Sequence, residues 1–340
     1  MKSIALFNNK GGVGKTTLLC NIAAYLKKRE EKRVLIVDAD PQCNASTYVM
    51  GDDEVFLRYI ENSDESLHKI INKIKKGEGY VDANSIPVLH SNGFDVDIIL
   101  GDTRLSVAED FLSKDWIDAA NGEPRGLKTT FVFYEMLRSL ESRYDFVLFD
   151  VGPSLGAINR TVLIACDYFI MPMSSDVFCI KAIDNIATSL KNWTDGLAKG
   201  LATYEENENE DFSLRGVPVA PNLRFLGYVN QQYTAKTQGG VVRPVKAYDK
   251  IIRQMPSRIT QKLKKFYPEN IKTNELKLGD IPNFNSLIPL SQLSNKPIFL
   301  LGGQDGVVGA HFSKVREYEE VMKSITRNIL ININRYDKLA

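Results

Sequence analysis

Short apolar runs recur at residues 4–7, 34–37, 96–100, 146–149, 168–171 and 225–229. They are largely continuous and bounded by turn residues, without the alternation of a strand that keeps one face wet. Runs of this kind read as strands buried on both faces of a parallel sheet. Helical patterns lie between them. Over 16–28, Leu18, Leu19, Ile22, Ala23 and Leu26 share one stripe, which closes on Lys27-Lys28-Arg29, cations that suit a helix C-terminus. The alternation predicts an α/β fold: a doubly wound, mostly parallel sheet flanked by helices, with right-handed crossovers.

Three polar stretches read as insertions into one domain spanning 1–340. The first, about 52–92, is helical in part through Leu67, Ile70, Ile71 and Ile74. The second, about 113–130, holds a turn at Asn121-Gly122-Glu123-Pro124. The third, about 195–222, contains the acidic run 205–211, expected as a mobile loop. No internal repeat marks a second domain.

Charge is nearly balanced, 43 basic against 42 acidic residues, so only local distribution bears on nucleic acid. Cys20, Cys43, Cys166 and Cys179 lack paired spacing; they read as reduced thiols of a cytoplasmic protein, not cluster ligands. The first residues read as a strand and show no signal-peptide pattern, and no apolar run approaches the roughly 18 residues of a membrane span.

The chemistry concentrates at Asn8-Asn9-Lys10-Gly11-Gly12-Val13-Gly14-Lys15-Thr16-Thr17. A phosphate-binding loop has the form G-x-x-x-x-G-K-[ST] between a strand and a helix. Here Asn9 stands where the first glycine belongs, and Lys10 follows it. Gly11, Gly12 and Gly14 allow backbone N–H groups to turn inward around phosphate, and the helix start faces the anion with its positive end. Lys15 is expected on the β/γ-phosphates and the Thr16 hydroxyl on Mg²⁺. A dinucleotide loop is excluded, because Thr17 occupies the place of the third glycine in G-x-G-x-x-G.

Lys10 through Thr17 resembles the deviant Walker A motif of the ParA/MinD family of ATPases. Two further motifs extend the resemblance: Asp38-Ala39-Asp40-Pro41-Gln42 after the second strand, and Phe146–Asp150 continuing as Val151-Gly152-Pro153-Ser154-Leu155-Gly156. The resemblance implies an ATP- and Mg²⁺-dependent homodimer with nucleotide at the seam. Lys10 would act in trans on the partner's phosphates and Lys15 in cis. Asp40 would orient the attacking water, with Thr16, Asp38 and Asp150 serving the metal. Gly152 stands where the family has a proline. Weaker matches place adenine contacts at Asn230 and Pro282, and Asn295 stands where the family has glycine before Lys296-Pro297.

Family members differ in cargo. Residues 236–277 carry eleven Lys/Arg against three Asp/Glu, a net of +8, which suggests an anion-facing surface. ParA resemblance then implies non-specific DNA binding in the ATP state, with Arg243, Lys246, Lys250 and Arg253 the expected contacts, and release by a ParB-like adaptor that stimulates slow hydrolysis, for plasmid or chromosome partition. The alternatives are a MinD-like positioning ATPase on a protein or membrane, a regulatory or defence ATPase, and a ligase of the dethiobiotin-synthetase type. The last helix, expected near 313–330, mixes both charge signs, unlike a basic membrane-surface helix.

Overall fold

The computed structural model describes residues 1–338 apart from 62–64, 175, 234, 239–240, 245 and 285; the side chains of 61, 177 and 232–252 also lie outside that description. In chain order the strands are β1 (Lys2–Leu6), β2 (Val34–Asp38), β3 (Leu89–Ser91), β4 (Val96–Ile99), β5 (Phe146–Asp150), β6 (Tyr168–Ser174), β7 (Ser213–Leu214), β8 (Val217–Pro218), β9 (Arg224–Tyr233), β10 (Ala235–Gln238), β11 (Val241–Pro244) and β12 (Lys277–Pro282). The helices are α1 (Lys15–Glu30), α2 (Asn44–Met50), α3 (Asp52–Glu61), α4 (Leu67–Lys75), α5 (Leu105–Ala120), α6 (Pro124–Thr130), α7 (Val132–Leu140), α8 (Ala157–Ala165), α9 (Val177–Glu208), α10 (Lys246–Leu263), α11 (Ile288–Ser294) and α12 (His311–Asp337).

Eight strands form one sheet in the order β12-β9-β6-β1-β5-β2-β4-β3. Every neighbouring pair is parallel except β3 with β4. β1 lies between β5 and β6, so the loop after β1 opens at the sheet's C-terminal edge, where open α/β sheets bind ligands. Register does the rest: Asp38 pairs with Asp150 across β2 and β5, and Leu6 with Asp150 across β1 and β5. The apolar runs are continuous because both faces are covered; β2 and β5 are buried along their whole length.

Two sheet strands come from segments that the apolar runs do not reveal. β3 is a three-residue antiparallel edge, and β12 contains Gly279 and Pro282. The acidic run corrects the expectation of a loop. α9 continues through Glu208 and stops at Asn209 in the left-handed conformation, φ 56°. Its far end is held by a second, smaller core in which Leu197 meets Ala119, Leu127, Phe131, Phe212 and Leu214, with the rings of Phe131 and Phe212 stacked. The second and third polar stretches thus cover each other.

α12 is longer than expected and packs Tyr318, Met322, Ile325, Ile329 and Ile333 into the main core. Asn332 Nδ2 donates to the carbonyls of Leu226 at 2.8 Å and Glu275 at 3.0 Å, which fastens the helix to β9. Among the described residues, no helix is long and apolar enough to cross a membrane. All four cysteines are free and buried.

Candidate functional site

A cleft of about 1180 Å³ lies over the C-terminal edge of β1, walled by Gly11–Thr17 on one side and by Asp40, Gln42 and the α2–α3 region on the other. Gly12 and Gly14 have φ 69° and 72°, a region that favours glycine. Gly14 is doubly constrained, since a Cβ there would collide with the Gln231 amide, and Gln231 Nε2 donates to the Gly14 carbonyl at 3.1 Å. Gln231 went unnoticed in the sequence; its only signal is its place one residue beyond Asn230.

The two lysines point to different tasks. Lys15 is buried, and its ammonium donates to the carbonyls of Asn8 and Lys10, each at 3.3 Å. Burial lowers its pKa, partly opposed by the charges of Asp150 and Asp40. Lys10 turns out of its own loop: its ammonium is bound to the Asp176 carboxylate and donates to Ser174 Oγ at 3.2 Å. Asp176 is the N-cap of α9, accepting from Phe178 N at 3.0 Å.

Three carboxylates gather below the loop. Thr16 Oγ1 donates to Asp150 Oδ2 at 2.7 Å, while Asp150 Oδ1 is buried without a partner. Asp38 is wholly buried; its Oδ2 accepts from Ser46 N at 2.8 Å and Ser46 Oγ at 2.7 Å, and Oδ1 from Asp40 N at 3.3 Å. Burial pushes both carboxyls above the usual carboxylate range; the charge of Asp40 adds to this at Asp38, and the charges of Asp38 and Asp40 add to it at Asp150. Asp40 Oδ1 accepts from Gln42 N at 3.0 Å and lies on the cleft wall.

This arrangement fits a nucleotide with Mg²⁺. An orphaned, costly carboxylate oxygen beside a threonine hydroxyl matches the hard-oxygen demand of Mg²⁺, and the lysine ammonium beneath the loop now rests on carbonyls that a phosphate would replace. Asp38 is more committed to Ser46 at the start of α2 than Asp150 is to Thr16.

The expected adenine contacts sit apart from the triphosphate cleft. Asn230 is buried, with Nδ2 donating to Asp280 Oδ1 at 2.8 Å and Oδ1 unpartnered. Pro282 shares a small void with Thr17 and Gln231. Asn295 caps α11 at φ 45°, the conformation glycine would take.

Of the expected DNA contacts, Arg253 is exposed on α10, whereas the side chains of Arg243, Lys246 and Lys250 lie outside the described residues. Several other cations of 236–277 have acidic partners. Arg258 binds Asp184 through Nε at 2.7 Å and Nη2 at 2.5 Å, Lys265 binds Asp195 at 2.8 Å, and Lys277 binds Asp280 at 2.7 Å. The local net charge is therefore smaller in space than in sequence.

Residues 1–203 match the family model described as AAA domain. The chain is 28% identical over 237 residues to the chromosome-partitioning ATPase Soj of Thermus thermophilus, covering 70% of this chain and 72% of that protein. It is 24% identical over 320 residues to an uncharacterized protein of Methanocaldococcus jannaschii, covering 94% of this chain and 98% of that protein. Among solved structures it is similar to protein DIP2308 of Corynebacterium diphtheriae, with TM-score 0.75 and 25% identity over 98% of this chain and 99% of that one.

Proposed function

Because the chain belongs to the AAA-domain family, among its ParA-type P-loop ATPases, we propose that it is an ATP- and Mg²⁺-dependent dimerising ATPase that binds DNA without sequence preference and leaves it after hydrolysis stimulated by a ParB-like adaptor. One observation carries the reading: the two lysines of one loop serve different places, Lys15 under its own phosphate cradle and Lys10 directed away from it.

Lys15 and the N–H groups of Gly11–Thr17 bind and orient the triphosphate. Asp40 holds the attacking water in line with the γ-phosphorus, whose bond to the β,γ-bridging oxygen breaks as the new P–O bond forms. Thr16 and Asp150 would hold Mg²⁺, with Asp38 supporting from beneath, and the bound metal would supply charge neutralisation to the triphosphate. Lys10, released from Asp176, adds a cation to the partner's phosphates once two copies close. A cation available only in the assembly contributes about 10³–10⁵ in rate in related phosphoryl transfers. Asn230 and Pro282 would receive the adenine.

The ion pairs Arg258–Asp184 and Lys265–Asp195 favour a second reading, a positioning ATPase whose cargo is a protein, because they withdraw cations from a DNA-facing surface. A mobility shift with arbitrary duplex DNA, with and without ATP, across a salt series separates the two. ATP-dependent, salt-steep binding supports partition; ATP-dependent dimers that never shift DNA support a protein cargo.

A further inference from the structure

The segment joining β5 to α8, residues 151–156, is held from two sides. From the first turn of α8, buried Asn159 donates through Nδ2 to the carbonyls of Gly152 at 2.7 Å and Ser154 at 2.8 Å, with Ser154 Oγ at 3.2 Å. From α5, the Glu109 carboxylate accepts from Ile158 N at 3.0 Å and from Ala157 N, and a Cβ at Gly156 would collide with it.

The held strip touches both halves of the cleft. A Cβ at Gly152 would lie 3.1 Å from Asp40 Oδ1, and one at Gly11 would lie 3.8 Å from Pro153 Cγ. Gly152 and Pro153 therefore bridge Asp40 and the phosphate loop. Glycine is the least restrained residue of a backbone, so the strip needs an external tether at that point. An amide nitrogen has two hydrogens, and Asn159 directs both at carbonyls of this strip.

We propose that Asn159 is a positioning residue for ATP hydrolysis, acting through the Gly152 carbonyl to hold residues 151–154 against Asp40 and the phosphate loop. It touches no reacting atom. The inference rests on the ATPase reading above. Displacement of a catalytic array by about an ångström costs on the order of 100-fold.

The test uses the full chain carrying N159L, similar in size but without a donor. Three quantities are read: kcat for Mg·ATP, Kd for a fluorescent ATP analogue, and amide exchange of residues 151–158 without nucleotide. The expected result is a kcat lower by roughly 10–100-fold, a Kd within about threefold, and faster exchange confined to 151–158. G152A should also lower kcat, yet add little to N159L, since both act on one strip. If N159L does not fold, N159S, which keeps one donor, is read in the same way. Wild-type kcat per folded molecule, unchanged exchange, or fully additive effects would overturn the proposal. A wild type that never hydrolyses ATP would instead sink the ATPase reading, while the exchange data still judge the clamp.

Discussion

The ammonium of Lys10 is bound to the carboxylate of Asp176, which also caps the first turn of α9. Both groups are about one-third exposed, 32% and 29%, so the pair is of modest strength. If Lys10 serves a second subunit, this bond breaks first. Asp176→Asn keeps the cap, since asparagine caps as well as aspartate, and removes the charge. Dimerisation should then need roughly two- to fivefold less ATP, corresponding to about 0.5–1 kcal/mol. Light scattering against ATP concentration checks this, and an unmoved midpoint counts against a parked Lys10.

The two loop lysines should separate cleanly. Lys15→Ala is expected to abolish ATP binding. Lys10→Ala should leave binding within about threefold yet eliminate the ATP-dependent dimer, with hydrolysis down by about 10³-fold or more. Calorimetry for binding and size exclusion for assembly distinguish them. An unaltered dimer in Lys10→Ala would end the trans assignment.

Asp40→Ala should trap the assembled state. Binding and dimerisation persist, while turnover drops by about 10²–10⁴-fold, the range for loss of a positioned acid–base group. A stopped-flow or phosphate-release assay that shows wild-type turnover would remove Asp40 from the attack.

For DNA, each phosphate contact contributes about 0.9 to the slope of log K against log salt. Lys246→Ala with Lys250→Ala should therefore flatten the slope by up to about 2. Arg258→Ala, whose guanidinium is engaged by Asp184, should leave the slope nearly unchanged. The reverse pattern would move the interface along α10.

Asp102 gives a pH-dependent prediction. Burial raises its pKa, but hydrogen bonds from Arg104 and Ser66 outweigh that and hold it below the usual value of 3.8. A depressed folded pKa adds stability above the unfolded pKa, and that stability fades as pH falls through the folded one. Asp102→Asn should thus cost about 1–3 kcal/mol at pH 7, less near pH 3. Denaturant melts at both pH values check it; an equal cost at both would exclude the ion pair as the cause.

What the sequence disclosed follows contact range. The phosphate loop, the Asp38–Asp40 turn and the β5 carboxylate are local patterns, since each strand end and its following residues carry their own geometry. Asn295 was readable as a glycine substitute because a left-handed cap tolerates few residues. β12 was hidden because Gly279 and Pro282 weaken its strand pattern, and its identity depends on pairing with β9. The basic segment misled by count: Asp184 and Asp195, which engage Arg258 and Lys265, lie on α9, far earlier in the chain. Asn159 gave no signal, because its meaning lies in two carbonyls that only the folded turn brings within reach.

The antiparallel ribbon at the sheet's margin has a consequence for assembly. β3 is only three residues long, and His90 on it faces Asp97 at 2.8 Å and Asp95 at 3.6 Å. A stubby rim with charge beside it offers little template for a foreign strand. Stacking of sheets edge to edge, the usual route to runaway aggregation, is discouraged on that side.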